Sequence, residues 1–179
     1  ERVQGGDNLT RIARRVKKAS GGNVTSALIM RINGLSSDRI RAGANLAVPT
    51  GTMTVRVHKS DFRLFLVMDG EIILDFAVGT GKSDSTPVGD FEIQGKTKNP
   101  TWTRPDGSVV PSGHPDHIIG TRWLGFANAQ GGTGFGIHGT VDDSSIGKAM
   151  SEGCVRMKNR EVEELFELVP EGCRVEVRP

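Results

Sequence analysis

Cys154 and His138 stand sixteen positions apart in the run I-H-G-T-V-D-D-S-S-I-G-K-A-M-S-E-G-C-V-R-M, residues 137–157, with a glycine beside each. A thiol becomes a good nucleophile when a base takes its proton, and His138 is the nearest base along the chain. The pair suits acyl transfer, in which sulfur attacks a carbonyl, imidazole moves the proton and donors hold the oxyanion. Gly139 and Gly153 lack side chains, so backbone can approach a substrate closely there. Ser151 and the carbonyls of residues 151–153 are candidates to accept a bond from the second His138 nitrogen, the orienting role of a triad without a carboxylate. Arg156 brings a fixed charge that either favours the thiolate or holds a substrate carboxylate. Glu152, if it points inward, raises the Cys154 pKa by like-charge repulsion.

The other chemistry-bearing residues read more plainly. His114 and His117 form H-P-D-H, a metal-ligand spacing, but Pro115 places them in a loop and no cluster supplies a fourth ligand. They read as solvated loop histidines, and neither metal nor cofactor is expected. Trp102 and Trp123 either line a cleft or pack in the core. Asp142 and Asp143 read as caps of a helix at Ser144. Two cysteines leave one disulfide or two thiols open. Cys173 sits in G-C-R-V-E-V, where a small apolar residue fits a buried strand face, whereas Cys154 sits in a Gly-flanked polar loop.

These residues need a scaffold, and residues 51–179 read as a mostly-β domain with one main helix. Met53–His58 alternates, and Asp69-Gly70 is a type I′ hairpin signal between Arg63–Met68 and Glu71–Val78. Gly79-Thr80-Gly81 and residues 86–90 read as turns, and Phe91–Gly95 as a strand. Arg104-Pro105-Asp106-Gly107 between Trp102-Thr103 and Val109-Val110 marks a small excursion, so residues 96–116 are a candidate lid. Residues 118–127 and 134–138 read as strands, Ser144–Met150 as a turn or two of helix. Val162, Leu165, Phe166 and Val169 fall at helical spacing from Asn159 or Arg160 onward. Pro170-Glu171-Gly172 stops that helix, and Cys173–Val177 returns as a strand.

Charge separates off the N-terminal part. Residues 1–50 hold nine Lys and Arg against three acids, while the remainder is net acidic. The overall net charge is only +2, which argues against nucleic acid as a partner. Arg2–Gln4 suggests a short strand, and Asp7 or Asn8 can cap a helix whose face is Leu9, Ile12, Ala13 and Val16. Val24–Ile32 reads as a second helix stopped at Asn33-Gly34. Residues 42–49 give a turn and a short strand closed by Pro49. The order is strand, helix, helix, strand. No apolar run approaches the length of a membrane span. The chain begins at Glu1 and reads as a trimmed portion, with a signal peptide or anchor upstream left open.

Residues 1–50 resemble a LysM module, through G-D-N-L-T-R-I-A (6–13), R-I-N-G-L (31–35) and I-R-A-G-A-N-L-A-V-P (40–49). The resemblance implies a βααβ fold that binds N-acetylglucosamine-containing glycan, with Gly6, Asp7, Asn8, Leu9, Asn33 and Leu35 near the groove. Residues 51–179 resemble the L,D-transpeptidase catalytic domain. The match runs through I-H-G-T and S-I-G-K-A-M-S-E-G-C-V-R-M, with A-V-G-T-G-K (77–82) and T-P-V-G-D-F-E-I (86–93) upstream. Glu152 departs from the pattern, since many members have His there. Together the two imply an α+β chain: a small βααβ module, then a mostly-β, β-sandwich-like domain with one main helix.

The resemblance implies a bacterial, extracytoplasmic enzyme acting on peptidoglycan, sensitive to carbapenem-type acylators. Cys154 is then the nucleophile and His138 the base, with Ser151 and Gly153 shaping the catalytic environment. Arg156, Gly139, Thr140, Glu152 and Trp123 lie on the substrate side. A stem tetrapeptide acylates Cys154 at the L-centre of its third residue, D-Ala leaves, and an amine acceptor gives a 3→3 cross-link or a protein anchor. Alternatives are water as acceptor, giving an L,D-carboxypeptidase, or a glycan-binding protein without catalysis. Sortase-like enzymes space His and Cys much more widely, and papain-like ones place Cys first.

Overall fold

The computed structural model describes residues 1–104 and 106–179. Pro105, within the turn expected at 104–107, lies outside the described residues. The chain divides into two compact units, one of Glu1–Met53 with Glu167–Pro170, the other of Thr54–Phe166 with Glu171–Pro179.

In the first unit, α1 (Leu9–Ser20) starts where Asn8 caps it, Oδ1 accepting from Arg11 N–H at 2.8 Å. Gly21 ends it in the left-handed region, with φ 73°. The apolar face expected from spacing is buried: Leu9, Ile12, Ala13 and Val16 pack with Val3, Val24, Ile29 and Leu46. The second helix, α2 (Ser26–Ile32), begins two residues later than the sequence suggested. Thr25 intervenes as its cap, Oγ1 accepting from Leu28 N–H at 3.1 Å, so Val24 packs from outside the helix. The two flanking strands shrink to a single antiparallel bridge between Arg2 and Asn45.

Twelve strands follow among the described residues: β1 (Met53–His58), β2 (Arg63–Met68), β3 (Glu71–Ala77), β4 (Thr80–Gly81), β5 (Gly89–Lys98), β6 (Trp102–Thr103), β7 (Val109–Val110), β8 (Arg122–Asn128), β9 (Gly131–Thr140), β10 (Ala149–Ser151), β11 (Val155–Lys158) and β12 (Arg174–Arg178). The main helix is α3 (Asn159–Leu168). Eight strands form one nearly closed sheet in the order β11-β9-β8-β5-β12-β1-β2-β3. Alternation works as expected in β1, where Met53, Val55 and Val57 are fully buried. Asp69 and Gly70 turn the β2–β3 hairpin with φ of 50° and 89°, the two positive values a type I′ turn requires. β6 and β7 pair as the small excursion around Asp106-Gly107.

Two local expectations give way to tertiary pairing. Residues 144–150 do not form a helix beyond a single 3₁₀ turn, Asp143–Ser145, capped by Asp142. Gly147 breaks the run with φ 78°, and the chain straightens into β10. Its partner is β4, from the stretch read as the Gly79–Gly81 turn.

Candidate active site

β9 and β11 place the two reactive residues. They are parallel neighbours, with Arg156 opposite His138 and Val155 opposite Ile137. Cys154 immediately precedes β11 and so comes beside the same end of β9. His138, Cys154, Ser151, Glu152, Arg156 and Trp123 all line one cavity of about 520 Å³. Pro100, Trp102, Ile118 and Ile119 form its apolar wall.

His138 is buried and held on two sides. Trp123, its partner across the β8–β9 ladder, stacks on the ring. Nδ1 donates to the Gly139 carbonyl at 2.6 Å. The orienting acceptor is therefore the next residue along, not Ser151 or its neighbours as the sequence suggested. Burial lowers the His138 pKa to about 4, with the charge of Arg156 adding to the effect and the Gly139 bond opposing it. The imidazole is neutral at pH 7. With hydrogen on Nδ1, its Nε2 lone pair is free to take a proton.

Cys154 and Cys173 are both free thiols. Burial raises the Cys154 pKa, against a backbone hydrogen bond from Gly136 and the charge of Arg156. Burial thus outweighs the thiolate-favouring charge expected of Arg156, and the resting pair is thiol and neutral imidazole. Glu152 does not act on the sulfur. It is exposed and pairs with Lys82 at 2.6 Å, on the cavity rim. Arg156 lines the cavity, and its Nε is buried without a hydrogen-bond partner.

Ser151 Oγ donates to the Cys154 carbonyl at 2.6 Å and accepts from Gly153 N–H at 3.1 Å. It pins the loop that carries Cys154 and engages the Gly153 N–H. Gly153 has φ 134°, and a Cβ there would run into the Phe135 ring. Gly139 and Thr140 do not line the cavity. A Cβ on Gly139 would meet the Asn159 amide, and Thr140 Oγ1 accepts from Asp142 N–H at 3.0 Å. At both glycines the missing side chain makes room for a neighbour inside the protein. Sequence reasoning missed Asn159 in this role. Its signal was a polar residue directly after the alternating V-R-M-K strand, which was read only as a helix start.

His117 is a further correction. It is buried, with Nε2 bonded to the Pro100 carbonyl at 2.8 Å, so it fastens the cavity wall from behind and is not solvated. His114 Nδ1 accepts from Asp116 N–H at 3.1 Å. Among the described residues, no group of three or more His, Cys, Asp or Glu is placed to hold a metal ion.

The glycan residues expected in the first unit are largely committed to its own architecture. Asp7 binds Arg15 through both oxygens and accepts from Gln4 N–H, which lowers its pKa to about 2. Asn8 caps α1, and Leu9 is buried in the core. Asn33 exchanges two hydrogen bonds with the Ala47 backbone, at 2.7 and 2.8 Å. Gly6 takes a left-handed turn with φ 81°, and Leu35 packs partly buried against the cluster.

Fold and site together describe a mostly-β sheet that brings a cysteine, a histidine and an arginine to one cavity. The chain belongs to the L,D-transpeptidase catalytic domain family, whose model matches residues 52–177, and a LysM domain model matches residues 2–49. It is 39% identical over 127 residues to the protein named as the L,D-transpeptidase YqjB of Bacillus subtilis, covering 70% of each chain. It is 32% identical over 184 residues to the protein named as the L,D-transpeptidase YkuD of Bacillus licheniformis, covering 99% of this chain and 97% of that one. In fold it is similar to the catalytic domain of an E. faecium L,D-transpeptidase acylated by ertapenem, with a TM-score of 0.56 and 24% identity over 72% of this chain and 98% of that one. No helix among the described residues is long and apolar enough to cross a membrane.

Proposed function

We propose that residues 51–179 catalyse L,D-transpeptidation of peptidoglycan stems and that residues 1–50 hold the enzyme to the glycan strand. The observation that carries the reading is the convergence of Cys154, of His138 held through Nδ1 by the Gly139 carbonyl, and of Arg156 on one cavity. Cys154 Sγ attacks the carbonyl at the L-centre of the third stem residue while His138 Nε2 takes the thiol proton. The tetrahedral intermediate collapses, and the D-Ala amine leaves with that proton. An amine of a second stem then attacks the thioester, restoring the thiol and forming a 3→3 cross-link or a protein anchor. Arg156, whose side chain lines the cavity, receives a carboxylate of the stem. Trp123 and Glu152, which also line the cavity, lie on the substrate side.

The LysM unit contributes the surface around residues 6–9 and 33–35 to glycan contact, where the side chains of Asp7, Asn8 and Asn33 shape the turns through bonds within the unit. The place of action is the cell wall of a bacterium, outside the cytoplasm. A carbapenem acylates Cys154, as ertapenem does the E. faecium domain. The test is incubation with tetrapeptide muropeptides. Wild type yields 3→3 dimers and an acyl-enzyme by mass spectrometry, and Cys154→Ala yields neither. Glycan binding without any acyl-enzyme would sink the reading.

A further inference from the structure

Asn159 follows β11 directly and opens α3. Its Oδ1 accepts from Thr121 N–H at 3.0 Å, and its Nδ2 donates to the Thr140 carbonyl at 3.0 Å. One partner can only donate and the other only accept, so the orientation of the amide is settled by its bonds. Gly139 and Gly120 flank it, and a Cβ on either would collide with Oδ1. The amide occupies the space that two absent side chains leave, between β9 and the turn leading into β8. It therefore packs against the residue whose carbonyl holds His138 Nδ1, and it binds the carbonyl of the next residue along.

We propose that Asn159 is a positioning residue for His138, fixing the peptide plane of Gly139 so that the imidazole keeps its hydrogen on Nδ1 and its lone pair on Nε2. The inference rests on the reading of His138 as the base. Asn159 does not line the cavity. Its influence passes through two backbone groups. A residue that only filled space would leave the tautomer alone.

The experiment compares the full chain as wild type, Asn159→Ala and Asn159→Asp. Ring ¹⁵N shifts of His138 in the free protein report the tautomer, and mass spectrometry follows acylation by ertapenem. Wild type is expected as a single Nδ1–H tautomer. Asn159→Ala gives mixed tautomers, and its maximal acylation rate falls on the order of tenfold to a hundredfold while the half-saturating concentration stays within about twofold, since the loss falls on proton transfer. Asn159→Asp keeps the volume and the Thr121 bond, so it answers the question if the alanine variant does not fold. It sets an oxygen against the Thr140 carbonyl and is expected to disturb the tautomer in the same way. A folded variant that keeps the Nδ1–H tautomer, or is acylated at a rate within about twofold of wild type, overturns the inference. The tautomer is read without any substrate. A wild type that never acylates therefore counts against the proposed function and leaves this readout decisive for Asn159.

Discussion

Trp123 and His138 stack with ring centroids 5.9 Å apart and planes 19° from parallel. The indole also lies over Gly125 and Gly136, its Nε1 3.1 Å from where a Cβ on Gly125 would stand. The two glycines let a wide ring lie flat on the sheet and cover the base. Trp123→Ala should uncover His138. Its pKa then moves up from about 4 toward the ordinary value of 6.5, because burial is the main cause of the depression. The expected outcome is an acid limb of the acylation rate that shifts to higher pH, with a stability loss of about 3 kcal/mol at most. Trp123→Phe should keep most of both. The pH–rate profile decides.

The same depression makes stability depend on pH. The unfolded chain takes up a proton on His138 near pH 6.5, and the folded one only near 4. Stability is therefore full above 6.5 and declines as pH falls through that window, by on the order of 3 kcal/mol. Asp7, with its pKa lowered to about 2, begins to matter only below its ordinary value of 3.8. Denaturant unfolding at pH 7.0, 5.5 and 4.0 should show the slope in wild type and its absence in His138→Gln.

The two thiols should separate cleanly in reactivity. Cys173 is fully buried and pushed up to about 12, so it stays silent to an alkylating reagent in the native state. Cys154 is half-buried and lines the cavity. One adduct per chain is expected by mass spectrometry, absent in Cys154→Ala. Since burial raises the Cys154 pKa, its labelling rate should climb about tenfold per pH unit between 7 and 8.5. A rate already flat at pH 7 would contradict the neutral resting pair.

Gly153→Ala combines a forbidden backbone angle with a collision against Phe135. A strain of roughly 1–3 kcal/mol is expected, with acylation lost because the nucleophile loop shifts. The double variant Gly153→Ala with Phe135→Ala relieves only the collision. It should regain part of the stability in thermal unfolding and little of the acylation.

The stretch that brings His138, Cys154 and Arg156 to one cavity was legible because it depends on short-range order. A histidine, a cysteine and an arginine at close spacing, each next to a small or apolar residue, could be read directly. What could not be read was where each polar group turns. Thr140 looked substrate-facing, and its hydroxyl instead closes the turn with Asp142 two residues on. Glu152 looked capable of disturbing the thiol, but Lys82, seventy residues away, draws it to the rim. Asn33 carries a glycan-site expectation, yet its amide is taken by Ala47. The helix expected at 144–150 failed for the same reason. Residues 149–151 have a strand partner in β4 that no local propensity reveals.

His138 takes its orientation from a covalent neighbour, Gly139, where other sites use a carboxylate. An imidazolium formed there gains no opposite charge from that acceptor and feels the like charge of Arg156. Such a cation sheds its proton readily. The arrangement that makes neutral His138 a weak base makes its protonated form a strong acid. In the proposed reaction that is what a departing amine needs, since it must be protonated before the C–N bond can break. The proton's stay on the ring is brief.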